Sequence, residues 1–380
     1  MKLGISLLVS ALVLFSCKKD TETALPVLKA IGTQVTEGFS GTTKAVISFE
    51  LSKPAVKEVT FTISTADGTA KAGEDYVAVT SVPVTIAAGE LSKKVEVLIQ
   101  GDEIMDFNRY FTVNAENVVN ATADNATAYI TILDNDGYTA TSDADGVVTP
   151  NTYPKMSLVW SDEFDGAQLN TSSWTYEKGA GGWGNNELQE YTDSPTNVFI
   201  ENGRLNIKAI KEGARYTSGR LVTRGKKEFI YGRIDIRAKM PVGKGIWPAL
   251  WMLGSNISTV PWPACGEIDI MEYLGHENFK VYGTAHYDDG GHKSQGSSYS
   301  LTSGNFSDKF HVFTLMWQEN SMVWYVDYQK YFQFSKTGTP FNSKFFFIMN
   351  VAVGGNWPGN PDNTTVFPQS MIVDYVRVFQ

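Results

Sequence analysis

The chain is almost without cysteine. Among 380 residues only Cys17 and Cys265 carry a thiol, which excludes a disulfide-stapled framework. One thiol in the body of the chain and no adjacent histidine pair also exclude a conventional Cys/His zinc constellation. Basic residues are in deficit, 32 Lys and Arg against 41 Asp and Glu, for a net charge of -9. That balance argues against a nucleic-acid partner and leaves no basic patch for a membrane surface. Long apolar runs are missing too: Leu3 to Phe15 is too short to span a bilayer. There is no G-x-S-x-G nucleophile elbow, Walker A loop or dinucleotide fingerprint, and no βαβ rhythm. What remains, 42% apolar and 19% charged, is a folded chain rich in short alternating segments.

Those segments fall into two bodies. All nine Trp and all four His lie after residue 150, whereas the part before it is rich in Val, Thr, Ala and Ile. Residues 26–136 alternate in runs such as "KAVISFELS", "EVTFTIST" and "ATAYITILD", bounded by turn residues, and predict a β-sandwich. Residues 137–152 are Asp/Gly/Thr-rich, lack an apolar period, and predict a linker. Residues 153–380 continue with strands, among them "YGRIDIRAKMP", "KVYGTAHY" and "KFFFIMNVAVGG". The fold class is therefore all-β, with a two-sheet β-jelly roll as the second body.

Within that body "GEIDIMEYLG" places Glu267, Asp269 and Glu272 in an otherwise apolar strand. Side chains alternate faces along a strand, so Glu267 and Asp269 share one face and Glu272 is out of step. One extra residue near Met271, a β-bulge, returns Glu272 to the face of the other two. Paired carboxyls about 5–5.5 Å apart are what a retaining glycosidase needs. Three acids this close cannot all ionise, so at least one pKa rises. Aromatics surround the strand. Trp183 and Trp357 sit in Gly/Pro-rich loops where an indole meets a ligand or another loop, whereas Trp317 and Trp324 sit in apolar strand patterns and belong to the core. Cys265 reads as a small buried filler.

Three resemblances add to this reading. The N-terminus, Lys2 then an apolar run ending in "LFSC", resembles a bacterial lipoprotein signal. This implies a signal peptide over 1–16, lipidation of Cys17, a tether over 17–25, and a place in the cell envelope, at the outer membrane or cell surface. The order "DGTAKAGEDY … VTIAAGE … KKVEVLIQGDE … YFTV … ITILDND" resembles the Calx-beta domain. Glu37, Asp75, Asp102, Asp134 and Asp136 match its acidic positions, but Asn108 and Arg109 stand where that family carries acids. A spacer or adhesion-like module and a calcium-binding module both stay open. Finally "GWGNNELQEYT", "YGRIDIRAKMPVGKGIWPALWML", "GEIDIMEY", "GTAHY" and "NVAVGGNWPG … DYVRV" resemble family 16 glycoside hydrolases of the laminarinase branch. That resemblance implies a concanavalin-like jelly roll with an open cleft. It implies Glu267 as nucleophile, Glu272 as general acid/base, Asp269 as their helper and His286 as a partner of Asp269. It implies substrate contacts from Trp247, Trp251, Trp262, Trp183, Asn185 and Arg220. It also implies a structural calcium held by main-chain oxygens at Glu163 and Gly203 and by the Asp374 carboxylate, and no cofactor for catalysis. The expected protein is a monomeric endo-β-1,3-glucanase acting on β-glucan. The alternatives are a hydrolase of mixed-linkage glucan, agarose or carrageenan, and a non-catalytic glucan-binding or adhesive protein.

Overall fold

The structure, a computed structural model, describes residues 24–137 and 140–380. The expected signal peptide, Cys17 and most of the tether lie outside the described residues. Two compact units emerge: one runs to Glu103 and includes Asn108–Asn135, and the other comprises Ile104–Phe107 and Asp136–Gln380. Strands make up nearly all of the regular structure, and the 3-10 turn Pro340–Asn342 is the one helical element among the described residues.

The first unit is a sandwich of a four-stranded and a five-stranded sheet. Its strands alternate over most of their length. In Arg109–Val119, Phe111 and Val113 point into the core while Tyr110 and Thr112 face out. Phe49, Phe61, Ile47, Val97 and Ile130 complete that core. This is the expected consequence of period-2 patterning with one wet face per sheet.

The second unit packs a ten-stranded sheet on an eight-stranded one. In the eight-stranded sheet the neighbours run Phe345–Val353, Ile246–Gly254, Glu267–Tyr273, Lys280–Asp288 and His292–Ser300. Phe345–Val353 is buried at every position: one face joins the inter-sheet core, and Phe346 and Ile348 on the other pack with Val222, Trp251 and Leu253. Trp317 and Trp324 are fully buried between the sheets, as their patterns predict, and Trp174 joins them. Cys265 is buried as well.

The expected linker differs from the sequence reading. Thr141–Asp143 and Gly146–Val148 form a hairpin belonging to the second unit. Polar, aperiodic residues fold there because arginines of the ten-stranded sheet hold them. Arg237, only 3% exposed, donates to Asp143 Oδ1 (2.7 Å), the Val147 carbonyl (2.7 Å) and Asp374 Oδ2 (2.6 Å). Arg204 bridges Asp145 and Asp374, and Thr149 bonds Tyr375 Oη. Removing the hairpin would leave a buried guanidinium short of acceptors, which costs about 3–5 kcal/mol. A fragment covering 137–380 is therefore expected to melt at least about 5 °C above one covering 153–380. Calorimetry on the two fragments checks this; equal melting temperatures would show the hairpin to be mere linker.

Candidate active site

The acidic strand Glu267–Tyr273 is the structural origin of the site. Against Lys280–Asp288, Asp269 faces Thr284 and Glu272 faces Tyr282, so Ile270 and Met271 together oppose Gly283. Against Ile246–Gly254, Met271 pairs with Leu250 and Asp269 with Trp251, which leaves Ile270 without a partner. The expected bulge is present, but its extra residue is Ile270, not Met271, which pairs with Leu250. Both Ile270 and Met271 are buried in the core, and Glu272 returns to the face of Glu267 and Asp269.

Two residues make this bulge possible. Trp324 of the facing sheet donates its indole N–H to the Asp269 carbonyl at 2.8 Å, so this buried acceptor is satisfied at the irregularity. The indole gets there because the residue opposite the bulge is glycine: a Cβ on Gly283 would lie 2.6 Å from Trp324 Cδ1 and 2.4 Å from Tyr331 Oη. Glycine within a strand often marks such a close approach.

The carboxyls have different partners. Trp247 Nε1 donates to Glu272 Oε1 at 3.2 Å. His286 Nε2 lies 3.2 Å from Asp269 Oδ2 and 3.8 Å from Glu267 Oε1, close to the expected partner although the geometry is not that of a hydrogen bond. The other nitrogen of His286 meets His292 Nε2 at 2.9 Å, and Trp262 packs on His292 at 4.6 Å. The hairpin between the two strands thus builds a histidine pair from residues six apart in sequence, which sequence reading did not assemble. Burial pushes Glu267 up to about 8, and Asp269 adds to the rise while His286, Trp262 and Arg220 oppose it. Burial likewise pushes Asp269 up to about 8. Glu272 is raised well above the usual glutamate value, by burial and then by Asp269 and Glu267, with His286 and Trp247 opposing the rise. Arg220 is among the groups that favour charge on Glu267, which gives the two glutamates different surroundings.

The strand floors a cleft of about 740 Å³ whose walls include all six expected binding residues, Trp183, Asn185, Arg220, Trp247, Trp251 and Trp262, together with Trp357. Their roles divide more finely than the sequence suggested. Arg220 lies between the rings of Trp183 (4.8 Å) and Trp251 (4.9 Å) and is paired with Glu177 (2.7 Å). Trp251 Nε1 donates to Asn350 Oδ1 at 2.7 Å. Trp247 is spent on Glu272. The indoles that present open surface are Trp262, 44% exposed, and Trp357, 41% exposed. Glu187 also lines the cleft and was missed. It accepts from Gln189 Nε2 at 2.6 Å, and burial raises its pKa. Its signal was its place in "GWGNNELQEYT", a polar run in a Gly-rich loop.

Metal-binding possibilities are of two kinds. Donor atoms of Glu267, Asp269 and His286 lie within 4.8 Å of one another, but an ion there would occupy the atoms that face the cleft. Of the expected calcium set, Glu163 and Gly203 would ligate through main-chain oxygens, and only Asp374 through its carboxylate. That carboxylate is held by Arg204 and Arg237, and two guanidinium groups beside it oppose a cation. In the first unit, Asp75 accepts from the Lys71 amide and lies 4.0 Å from Arg109 Nε.

With this geometry in view, comparison with known proteins is informative. Residues 185–377 match the profile of glycosyl hydrolases family 16, and residues 32–136 that of the Calx-beta domain. The chain is 40% identical to a beta-glucanase of Rhodothermus marinus, over 60% of this chain and 86% of that protein. It is 39% identical to glucan endo-1,3-beta-glucosidase A1 of Niallia circulans, over 62% of this chain, and spans 39% of that protein's length. The laminarinase catalytic domain of Thermotoga maritima superposes with a TM-score of 0.56 at 50% identity, covering 59% of this chain and 98% of that domain.

Two outcomes follow from the site. Trp324→Phe keeps the ring but orphans the Asp269 carbonyl, an expected loss of about 1–3 kcal/mol with roughly 10²-fold lower turnover. Gly283→Ala is expected to do worse. Full turnover in Trp324→Phe would remove the indole from the account. The raised carboxyls also set a sign. Their folded pKa values exceed the usual 4.5 and 3.8, so the folded state holds extra protons. That stability is complete below about pH 4 and is lost as pH rises through about 8. Melting temperature is expected to fall from pH 5 to 9, and Glu272→Gln to flatten the fall; a parallel profile in that variant would contradict the assignment.

Proposed function

Because the chain belongs to glycosyl hydrolases family 16, we propose that it is an endo-β-1,3-glucanase hydrolysing laminarin-like β-glucans with retention of configuration. The observation that carries the reading is the bulge at Ile270, which returns Glu272 to the cleft face beside Glu267 and Asp269. Glu267 attacks the anomeric carbon while Glu272 gives its proton to the departing glycosidic oxygen. The resulting glycosyl ester on Glu267 is then hydrolysed by a water that Glu272, now a carboxylate, deprotonates. Asp269 and His286 hold Glu267 and share the proton that burial keeps among the three acids. Trp247 orients Glu272. Trp262 and Trp357 offer rings to the apolar faces of sugars. All reacting groups are side chains of one strand, so the reaction needs no cofactor.

Charge favours a neutral polymer. Glu187, Glu267, Asp269 and Glu272 line the cleft against Arg220, which Glu177 already engages. A sulfated chain such as carrageenan finds no uncommitted cation among these groups, while mixed-linkage glucan and agarose, both neutral, are alternatives that charge alone does not exclude. The presence of both glutamates speaks against the non-catalytic reading, because unpaired buried acids are costly without a use. We further infer a monomer on the cell envelope, anchored by lipid on Cys17. For the Calx-beta-like unit the spacer role is favoured over calcium binding, because Arg109 stands beside Asp75.

Reducing-sugar release from laminarin tests the activity, and NMR of fresh product tests the stereochemistry, with the β-anomer expected first. Glu267→Gln should abolish turnover of both laminarin and an activated aryl glucoside. Glu272→Gln should lose about 10²–10⁴-fold on laminarin yet still form the ester from the aryl glucoside. An initial α-anomer, or release undiminished in Glu267→Gln, would overturn the mechanism.

A further inference from the structure

The two outer faces of the N-terminal sandwich differ in charge. The four-stranded sheet presents exposed Lys29, Lys44, Glu50, Lys94 and Glu96 to solvent, an ordinary solvated surface. The five-stranded sheet does not. Across its three central strands, Val59–Asp67, Arg109–Val119 and Thr127–Leu133, alternation turns out hydroxyls, amides and two phenol rings, and Glu116 at one end is the single ionised group on that face. Strand preference explains threonine there. It does not explain why lysine is missing and Glu116 stands alone, when the other sheet of the same unit uses both residue types freely.

Tyr110 and Tyr129 stand on neighbouring strands, 41% and 61% exposed, with ring centroids 6.0 Å apart. The Tyr110 ring rests on the turn at Gly68, where a Cβ would come within 2.4 Å of it; the missing side chain seats the ring and limits its motion. Beside the rings, Asn114 Oδ1 accepts from Thr127 Oγ1 at 2.8 Å, which fixes the amide. Half-exposed aromatic rings bordered by oriented hydroxyls and amides, on a face without counter-charge, fit a polyhydroxylated chain that carries no charge itself.

We propose that this sheet face binds a neutral polysaccharide, sugar rings lying on Tyr110 and Tyr129 with Thr112 and Asn114 meeting sugar hydroxyls. The polymer's identity as β-glucan rests on the function proposed above. Charge complementarity selects this occupant: an anionic polymer finds no cation on the face, and a charged protein surface finds no ion-pair partners. Joined to the catalytic unit in one chain, the face raises the local concentration of insoluble substrate.

The test uses the full chain. Retention is measured on insoluble β-1,3-glucan in the Glu267→Gln background, with a sulfated galactan as the charged control. Turnover of a short soluble β-1,3-oligosaccharide is measured in the parent background. Retention on the glucan but not on the sulfated polymer is expected. Tyr110→Ala/Tyr129→Ala and the separate Thr112→Glu should each weaken retention at least about tenfold, while Tyr129→Phe keeps it and oligosaccharide turnover stays within about twofold in all three. Should the double alanine variant fail to fold, Thr112→Glu against Tyr129→Phe decides the matter. Unchanged retention in both ring-deleted and charge-inserted variants overturns the proposal. So does equal retention on the sulfated polymer, or a concentration-dependent dimer lost in Thr112→Glu, which would show a second copy to be the occupant. Absent turnover in the parent would instead count against the glucanase reading, with retention still deciding the face.

Discussion

The Trp324 N–H to Asp269 carbonyl bond is the contact on which the site depends. A strand that keeps strict alternation would drive Glu272 into the apolar space between the sheets. The inserted Ile270 prevents this, but breaks the ladder and leaves main-chain groups to satisfy in a buried place. Trp324 supplies a donor from the opposite sheet, and Gly283 leaves the room for it. The bulge is thus fixed by inter-sheet packing, and the carboxyl geometry inherits the rigidity of a close-packed core. Sites carried on rigid strands in this way hold their groups more closely than loops do.

Three acids on one face make the second constraint. Burial raises every member of the group, so the fold stores an electrostatic cost at the place where the chemistry occurs. The partners divide that cost unequally. His286 and an indole donor favour charge on both glutamates, but Arg220 acts on Glu267, whereas Glu272 has two acidic neighbours. In the proposed mechanism an acid and a nucleophile emerge from identical side chains through environment. Stability is given up for this arrangement, a common balance at active sites.

Much of this was legible in the chain. A period of two that fails by one residue between Asp269 and Glu272 can be read directly, because the face of each side chain follows from parity. Which residue is extra could not be read, since Ile270 and Met271 are both apolar and both buried. The role of Trp324 was hidden for a different reason: its apolar strand pattern gives its burial, but its N–H partner lies 55 residues away on the facing sheet. The glycine in "KVYGTAHY" was the available sign. The hairpin at 141–148 and the engagement of Asp374 by two guanidinium groups share a cause. Both depend on arginines brought in by sheet pairing, and pairing partners are not written in local sequence. The histidine pair is of the same kind, made by a turn that sets His286 diagonal to His292.

The central claim is that the bulge delivers a protonated Glu272 beside an ionisable Glu267. Difference infrared spectroscopy of the carboxyl stretch, recorded as a pH titration in the parent and in the two glutamine variants, tests this most directly. The account predicts that the last carboxylic-acid band to disappear as pH rises is the one missing from Glu272→Gln, and that Glu267→Gln retains it. A last-titrating band that survives Glu272→Gln and vanishes in Glu267→Gln would contradict the assignment of acid and nucleophile.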